Sequence, residues 1–173
     1  MKTRAALLPL MGSLVLLLGS GPGWAAEPGE KEHAELAQAL KGAKVSLKQG
    51  LVASESKGKP ISAKFEVEDG KLHLSVYTAK SGAFSEVLVD PKTGRVAKAE
   101  TIEAGEDLTA AKAQADAMAK ATTSLGAAVD AAIKKDAGFR AVSVTPALVD
   151  GHPAADVTLM KGREVKTASE KLD

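Results

Sequence analysis

Two alternating runs of residues around the dipeptide Asp69-Gly70 constrain the fold of this chain more than any other feature of its sequence. Within residues 61–77, apolar and polar residues alternate on both sides of that dipeptide. Asp-Gly is favoured in two-residue hairpin turns because both positions need positive φ. One face of the resulting hairpin is apolar throughout, so we expect a helix to cover it. The predicted cross-strand pairs are Val67 with Leu72, Phe65 with Leu74, and Ala63 with Val76.

A second turn ends the next predicted strand, which covers residues 84–89. Asp90 can accept hydrogen bonds from backbone amides two residues on, Pro91 fixes the bend, and Gly94 suits a position with positive φ. An edge strand over residues 96–100 is expected to follow. This pattern predicts a structural turn that carries no chemistry of its own.

Alanine-rich segments predict two helices in each half of the chain. Residues 33–41 and 106–121 are expected to form the first helix of the respective halves. Ser46 begins an S-x-x-Q capping box, which predicts a short second helix in the first half. Ser124 is the corresponding cap of a helix over residues 125–136, where apolar residues recur at helical spacing.

The second half repeats the pattern of the first half at lower similarity. The turn dipeptide Asp69-Gly70 recurs as Asp150-Gly151, and Pro146 lies in the predicted strand before it. Because Pro146 lacks an amide hydrogen, that strand is expected to be bulged there or to lie at a sheet edge. The predicted strands of this half cover residues 139–149, 154–161 and 164–171. Other matched pairs, each 78 positions apart, are Ala43 with Ala121, Ser46 with Ser124, and Leu47 with Leu125.

A capped helix, a hairpin and a strand that ends in the Asp90 turn resemble the PepSY domain family. The segments that carry this resemblance are residues 69–72 (DGKL) and 86–96 (EVLVDPKTGRV), and it covers about residues 45–100. In the second half, residues 164–169 (EVKTAS) replace the Asp-Pro-Lys-Thr-Gly ending, so a second unit is a degenerate one. The resemblance implies an α+β fold of two tandem units, each with one or two helices on a three- to four-stranded antiparallel sheet. The doubled plan is also similar to the architecture of secreted β-lactamase inhibitor proteins, a likeness of fold alone.

The PepSY resemblance also implies a kind of partner. PepSY units occur in the propeptides of secreted thermolysin-like metallopeptidases and as separate exported proteins. They are thought to bind or restrain peptidases, and the family has no catalytic residue to assign to this chain. A secreted peptidase is therefore the partner that the resemblance implies.

The N-terminus predicts export. Lys2 and Arg4 precede an apolar run over residues 5–18, and small residues suit cleavage after Ala25. We therefore expect a periplasmic or extracellular protein that has no membrane span after cleavage. The predicted division is a signal peptide over residues 1–25, a flexible leader over 26–32, a first PepSY-like unit over 33–104, and a second unit with a long alanine-rich helix over 105–173.

Composition excludes several classes of function. The chain has no cysteine, which rules out thiol catalysis, thiolate metal sites and disulfide bonds. Its 23 basic and 22 acidic residues give a formal net charge of +1, and the two signs are interspersed. A chain of this kind is not expected to bind nucleic acid or an anionic membrane.

The polar side of the first hairpin holds the candidate partner-binding residues, which are Lys64, Glu66, His73 and Tyr77. His73 is predicted to face Glu66 across the two strands, which suits a recognition patch or a weak metal site. Cross-strand charge pairs are equally ordinary on the exposed side of a sheet. The set is therefore a hypothesis about a surface that contacts a partner.

No catalytic arrangement is evident in the sequence. His33 and His152 fall at a helix start and in a loop, without expected catalytic partners. Glu66 and Glu68 lie on the side of the hairpin that is expected to face water, whereas a general acid would need a buried carboxyl. Neither a Gly-x-Ser-x-Gly elbow nor an H-E-x-x-H pair occurs. The sequence predicts no enzyme, no cofactor and no metal site.

Two functions remain open from the sequence. The first is a binding module that presents a sheet face or hairpin tips to another exported protein. The second is a structural or assembly protein of the cell envelope that has no peptidase partner. Val87 and Leu88 are predicted to point to opposite faces of the third strand, and exposure of one of these faces would favour the binding module. The oligomeric state is not indicated.

Overall fold

The computed structural model describes residues 28–173, and the predicted signal peptide and its cleavage position lie outside this range. Within it, the chain forms an α+β fold of four helices and seven strands. The helices are α1 (Pro28–Leu40), α2 (Leu47–Ser54), α3 (Gly105–Lys120) and α4 (Leu125–Lys135). The strands are β1 (Lys59–Glu68), β2 (Lys71–Lys80), β3 (Ala83–Val89), β4 (Val96–Thr101), β5 (Arg140–Val149), β6 (His152–Lys161) and β7 (Glu164–Lys171).

The first hairpin, β1–β2, has the predicted register. Asp69 and Gly70 form its turn with φ angles of 49° and 71°. Asp150 and Gly151 form the corresponding turn between β5 and β6, with φ angles of 51° and 83°. The turn and the apolar face together fix the register, because a slip of one residue would move every apolar side chain into water. The confirmed pairs are Val67 with Leu72, Phe65 with Leu74, and Ala63 with Val76.

All seven strands belong to one antiparallel sheet in the order β4-β3-β2-β1-β5-β6-β7. Where a three- to four-stranded sheet was expected for each half, the strands of both halves join into this single sheet. β1 pairs with β5 through Ala63 with Val144 and Lys64 with Ser143. This junction satisfies backbone groups that two separate sheets would leave unpaired along β1 and β5. β4 lies at the edge of the sheet, as predicted.

Pro146 belongs to an inner strand of the sheet, but it lies where β5 has a local edge, as one of the two predicted alternatives required. It pairs with Ala155 of β6, and the pairing of β5 with β1 stops at Val144. The β1 side of β5 is therefore locally unpaired at Pro146, which is where a residue without an amide hydrogen is tolerated. The irregularity of β5 falls earlier, between Ala141 and Ser143.

Helices α2 and α4 contact each other and cover the apolar face of the sheet. Gly50 of α2 lies so close to Leu74 that an added Cβ atom would come within 2.4 Å of a Leu74 methyl group. Ser46 caps α2 with the predicted capping box, and the Ser124 side chain accepts a hydrogen bond from the Ala127 amide at the start of α4. Burial of the apolar face beneath these two helices forms the core.

Helix α3 lies across the opposite face, which we call the polar face because Ser62, Lys64, Ser75, Tyr77 and Ser143 point from it. The Ser62 hydroxyl donates a hydrogen bond of 2.7 Å to the side-chain oxygen of Gln114 in α3. The helix contacts β1, β2, β5 and β6. The alanine-rich helix therefore packs on its own sheet and bridges the two halves.

Helix α1 begins at Pro28, whereas the sequence predicted a flexible leader over residues 26–32 and a helix from residue 33. Proline suits the first helical position because its missing amide hydrogen is not needed there. Glu30 lies in the first turn, where the helix dipole favours negative charge. The sequence contains both features, and both favour a helix that begins before residue 33.

The Asp90 turn forms as predicted and also ties two elements together. The Asp90 carboxylate accepts hydrogen bonds from the backbone amides of Thr93 and Lys92 at 2.7 and 2.9 Å. These bonds, led by those from Thr93, hold the pKa of Asp90 below its usual value. The Pro91 carbonyl accepts from the amides of Lys44 and Val45. The turn therefore anchors the connection between α1 and α2.

Candidate functional site

The four residues predicted to contact a partner lie on the polar face of β1 and β2. Glu66 faces His73 across the two strands, as predicted. The Lys64 ammonium lies 2.6 Å from one Glu66 carboxylate oxygen, and the Ser75 hydroxyl donates a 2.9 Å hydrogen bond to the other. Both charges of this pair therefore have partners within the chain.

Tyr77 is 7% exposed, because α3 crosses the sheet above it. It therefore contributes little to the open surface on which its predicted role depends. Lys64, Glu66 and His73 are half-buried, so the accessible part of the predicted set is the rim beside α3.

A cavity of about 130 Å³ separates α3 from the polar face, and we call it the α3 cavity. Its floor comes from β1, β2 and β5, and its roof comes from α3. The polar side chains that line it are Ser62, Lys64, Tyr77, Asp107, Gln114, Ser143 and Thr145.

Two buried side chains present polar groups to the α3 cavity. The Tyr77 hydroxyl has no hydrogen-bond partner among residues 28–173. Every polar side-chain atom in this range that is fully buried does have a partner, so the Tyr77 hydroxyl is not fully buried. The hydroxyl is therefore in contact with solvent, and Tyr77 is one of the residues that line the cavity. Gln114 is 8% exposed, and its oxygen accepts from Ser62. Buried polar groups usually form hydrogen bonds with protein or water, so we expect these two groups to bind a ligand or ordered water.

The α3 cavity has a negative electrostatic environment. Burial raises the pKa of Tyr77 far above its usual value, and the carboxylates of Glu86, Glu66 and Asp107 raise it further. The phenol therefore stays protonated, since an anion there would be desolvated and repelled.

Glu86 faces Tyr77 across β2 and β3. Burial is the main reason that the pKa of Glu86 is raised, while a hydrogen bond with Ser75 opposes the shift. The geometry assigns the Ser75 hydroxyl proton to Glu66, at 2.9 Å. Ser75 therefore lies between the two carboxyl groups, and the hydroxyl proton that it donates to Glu66 is not available to Glu86.

The chemistry of these groups suits recognition by hydrogen bonds and charge. Among residues 28–173, the one hydrogen bond made by a histidine side chain joins His152 to Asp173, so no serine in this range has a histidine base. The same range contains no group of three histidine, aspartate or glutamate side chains placed to hold a metal ion. No serine–histidine pair accompanies the α3 cavity in the described part of the chain.

A second, more open groove of about 450 Å³ lies where α2 meets the end of α3 and the start of α4. Lys48 and Asp130 pair with each other across it at 2.5 Å. Lys59 donates to the Met118 carbonyl oxygen, so its charge is also engaged. Val52 at the rim is 58% exposed. The groove is larger than the α3 cavity, and three of its four charged side chains already have partners, the exception among the described residues being Glu55.

Comparison with known proteins identifies no relative. No family model, no curated protein and no solved structure matches this chain. The PepSY resemblance thus stays a prediction from the sequence. Between Pro28 and Asp173, no helix has both the length and the apolar character needed to cross a membrane.

Glu86, Asp107 and Gln114 belong to the site but were not singled out in the sequence. Glu86 carried a usable signal, because alternation along the third strand sets it on the same face as Tyr77. Asp107 and Gln114 reach the site only because α3 crosses the polar face. Nothing in an alanine-rich helix indicates which face of a sheet it covers.

Proposed function

We propose that this protein is an exported, non-catalytic binding module built from two PepSY-like units. It binds another exported protein through the polar face beside α3. The observation that carries this proposal is the α3 cavity, where the Tyr77 hydroxyl lacks a partner among the described residues. A fold that needed this face only for packing would gain by replacing such groups with apolar ones.

The strand registers support two copies of one unit. Ala63 pairs with Val76 in the first hairpin, and Val144 pairs with Val157 in the second, a shift of 81 positions for both partners. The irregularity between Pro60 and Ser62 recurs 81 positions later, between Ala141 and Ser143. Conserved spacing of both pairs and bulges is expected of a duplicated unit.

Hydrogen bonds at the helix connections support the same relation. Lys44 and Val45 donate their amides to the Pro91 carbonyl oxygen, and Thr122 and Thr123 donate theirs to that of Leu172. The donors are 78 positions apart, as are the two capping serines. Each unit also reaches into the other, since Arg140 donates to the Leu40 carbonyl oxygen and Lys59 donates to that of Met118.

Comparison of the two units distinguishes the residues that the fold requires from the residues that are available for binding. If the units correspond, four charged or aromatic residues of the polar face, Lys64, Glu66, Tyr77 and Glu86, occur in the first unit alone. The second unit therefore folds without them, which favours a role in binding. The residues that correspond to Lys64, Glu66, Tyr77 and Glu86 are Thr145, Ala147, Thr158 and Thr167.

The third strand supports the binding module over the assembly protein. Val87 is fully buried on the apolar face, whereas Leu88 on the polar face is half-exposed beyond the reach of α3. A partly apolar surface next to a charged cavity suits a protein interface, whose centre is apolar and whose rim is polar.

Affinity capture tests this proposal. Residues 26–173, which contain every described helix and strand, would be immobilised and exposed to native envelope extract. We expect an exported protein to be retained, with a peptidase as the class implied by the PepSY resemblance. Retention should fall with the double variant Asp107→Asn/Glu86→Gln.

The matched control is Asp116→Asn/Glu164→Gln, which removes two exposed carboxylates elsewhere. Equal retention by both double variants would refute binding through the polar face. Retention of envelope assembly proteins alone would favour the structural alternative, and an empty eluate would overturn binding of an exported protein.

A further inference from the structure

We infer that the α3 cavity is a receptor for a small organic cation, an alkylammonium or guanidinium group. This inference rests on the proposed function, because it names the chemical group that the polar face recognises. The same group is offered by a lysine or arginine side chain of a protein partner and by a free amine.

Charge is the first argument for a cationic ligand. Asp107 lines the α3 cavity and is half-buried, and it takes part in no ion pair of residues 28–173. Glu86 lies beside the cavity floor and likewise has no ion-pair partner in this range. Lys64 is already neutralised by Glu66 at 2.6 Å. A cation would therefore meet an unbalanced negative environment.

Hydrogen-bonding capacity is the second argument. Because the pKa of Tyr77 is raised, its oxygen stays a neutral hydroxyl with lone pairs free to accept. The Gln114 oxygen accepts one bond from Ser62 and has a second lone pair. With the Asp107 carboxylate, these oxygens form an acceptor-rich lining, which matches the several N–H donors of an ammonium or guanidinium group.

Size is the third argument. The cavity volume of about 130 Å³ is well above what a single water molecule needs. A charged head with a short methylene stem fits such a space. The Tyr77 ring adds a surface on which a cation is favoured.

The protein contains one tyrosine, and its one tryptophan is Trp24, so residues 26–173 have Tyr77 as the sole fluorophore of these two types. Titration with n-butylammonium and methylguanidinium chlorides at fixed ionic strength should change Tyr77 fluorescence saturably. Equal concentrations of n-butanol and sodium butyrate serve as the neutral and anionic controls. Matching responses to the alcohol or to the carboxylate would refute a cation site.

Variants assign the binding to the cavity. Asp107→Asn keeps the shape and removes the charge, so the dissociation constant should rise about tenfold or more. Asp116→Asn on the same helix, where the side chain is exposed, should leave it unchanged. An unchanged constant in Asp107→Asn, or an equal loss in Asp116→Asn, would overturn the assignment. Circular dichroism of both variants checks that the fold is retained.

A competition experiment distinguishes the two sources of the cation. If the cavity takes a partner's lysine or arginine, methylguanidinium should release the protein captured from envelope extract, while n-butanol should not. If the cation binds and nothing is captured, the ligand is a free amine and the protein-binding proposal fails. If a partner is captured through the polar face and no cation binds, this inference fails while the proposed function stands.

Discussion

At the scale of single residues, Tyr77 and Glu86 are the two described side chains whose pKa is raised. They face each other across β2 and β3, and burial is the main reason that the pKa of each acid is raised. Alternation along the strands predicted that Tyr77 lies on the polar side. Its burial was not predictable, because it depends on a helix that is distant in sequence.

Replacing Glu86 with glutamine should stabilise the protein at pH 7. The pKa of Glu86 is higher in the folded chain than in the unfolded chain, so the folded state favours the protonated acid. Its contribution to stability is fully present below the unfolded value of about 4.3 and is lost as the pH rises through the folded value. The gain from Glu86→Gln should therefore be present at pH 7 and absent at pH 3.5.

Urea denaturation of Glu86→Gln and wild type at both pH values measures this effect. Glu164→Gln, at an exposed position of β7, is the control and should alter stability at neither pH. A variant less stable than wild type at pH 7 would mean that the Glu86 carboxylate makes a favourable interaction that the structure does not contain.

Tyr77 should resist ionisation until the protein unfolds. The unfolded chain loses the phenol proton above a pH of about 10, while the folded chain retains it. Stability should therefore fall as the pH rises above about 10, and Tyr77→Phe should remove this part of the dependence. Absorbance at 295 nm during alkaline titration provides the measurement. A reversible step near pH 10 in folded protein would contradict the burial of Tyr77.

At the scale of elements, the sequence was most informative where local chemistry decides structure. The two Asp-Gly turns and both serine caps were predicted because each depends on neighbouring residues. The β1–β2 register followed from the same turn and from the apolar alternation around it. The position of α3 was not predictable, since it depends on contacts such as that of Ser62 with Gln114, which are 52 positions apart in the chain.

The contact between α2 and the sheet gives a matched pair of helical glycine substitutions. Gly50→Ala should cost about 1–3 kcal/mol, because the new methyl group would overlap the fully buried Leu74. Gly126→Ala in α4 meets nothing closer than 3.7 Å, so it should gain up to about 1 kcal/mol from helix propensity. Thermal denaturation followed by circular dichroism measures both. Equal effects of the two substitutions would argue against close packing of α2 on β2.

At the scale of the whole molecule, the central feature is a single sheet shared by both halves. The sequence predicted a repeat, but it did not predict the pairing of β1 with β5. The side chains at that junction, Ala63 and Val144, have the alternation of any half-buried strand. The alternation of apolar and polar residues in a strand does not indicate which other strand pairs with it.

The shared sheet predicts that the two halves unfold together. Helix α3 contacts strands of both halves, and Arg140 of the second half donates to the Leu40 and Val45 carbonyl oxygens of the first. Tyr77 fluorescence reports on the first half of residues 26–173, while circular dichroism reports on the entire fold. The two probes should give one coincident transition in urea. An earlier transition in either probe would indicate halves that are stable alone.

The α3 cavity on the polar face is central to the proposed function, and nuclear magnetic resonance tests it most directly. Amide spectra of ¹⁵N-labelled residues 26–173 would be recorded during addition of n-butylammonium chloride, with sodium chloride as the reference. We predict saturable shift changes that are largest at Lys64, Tyr77, Asp107 and Gln114. Saturable changes centred elsewhere, or spectra identical to those in sodium chloride, would contradict a binding site beneath α3.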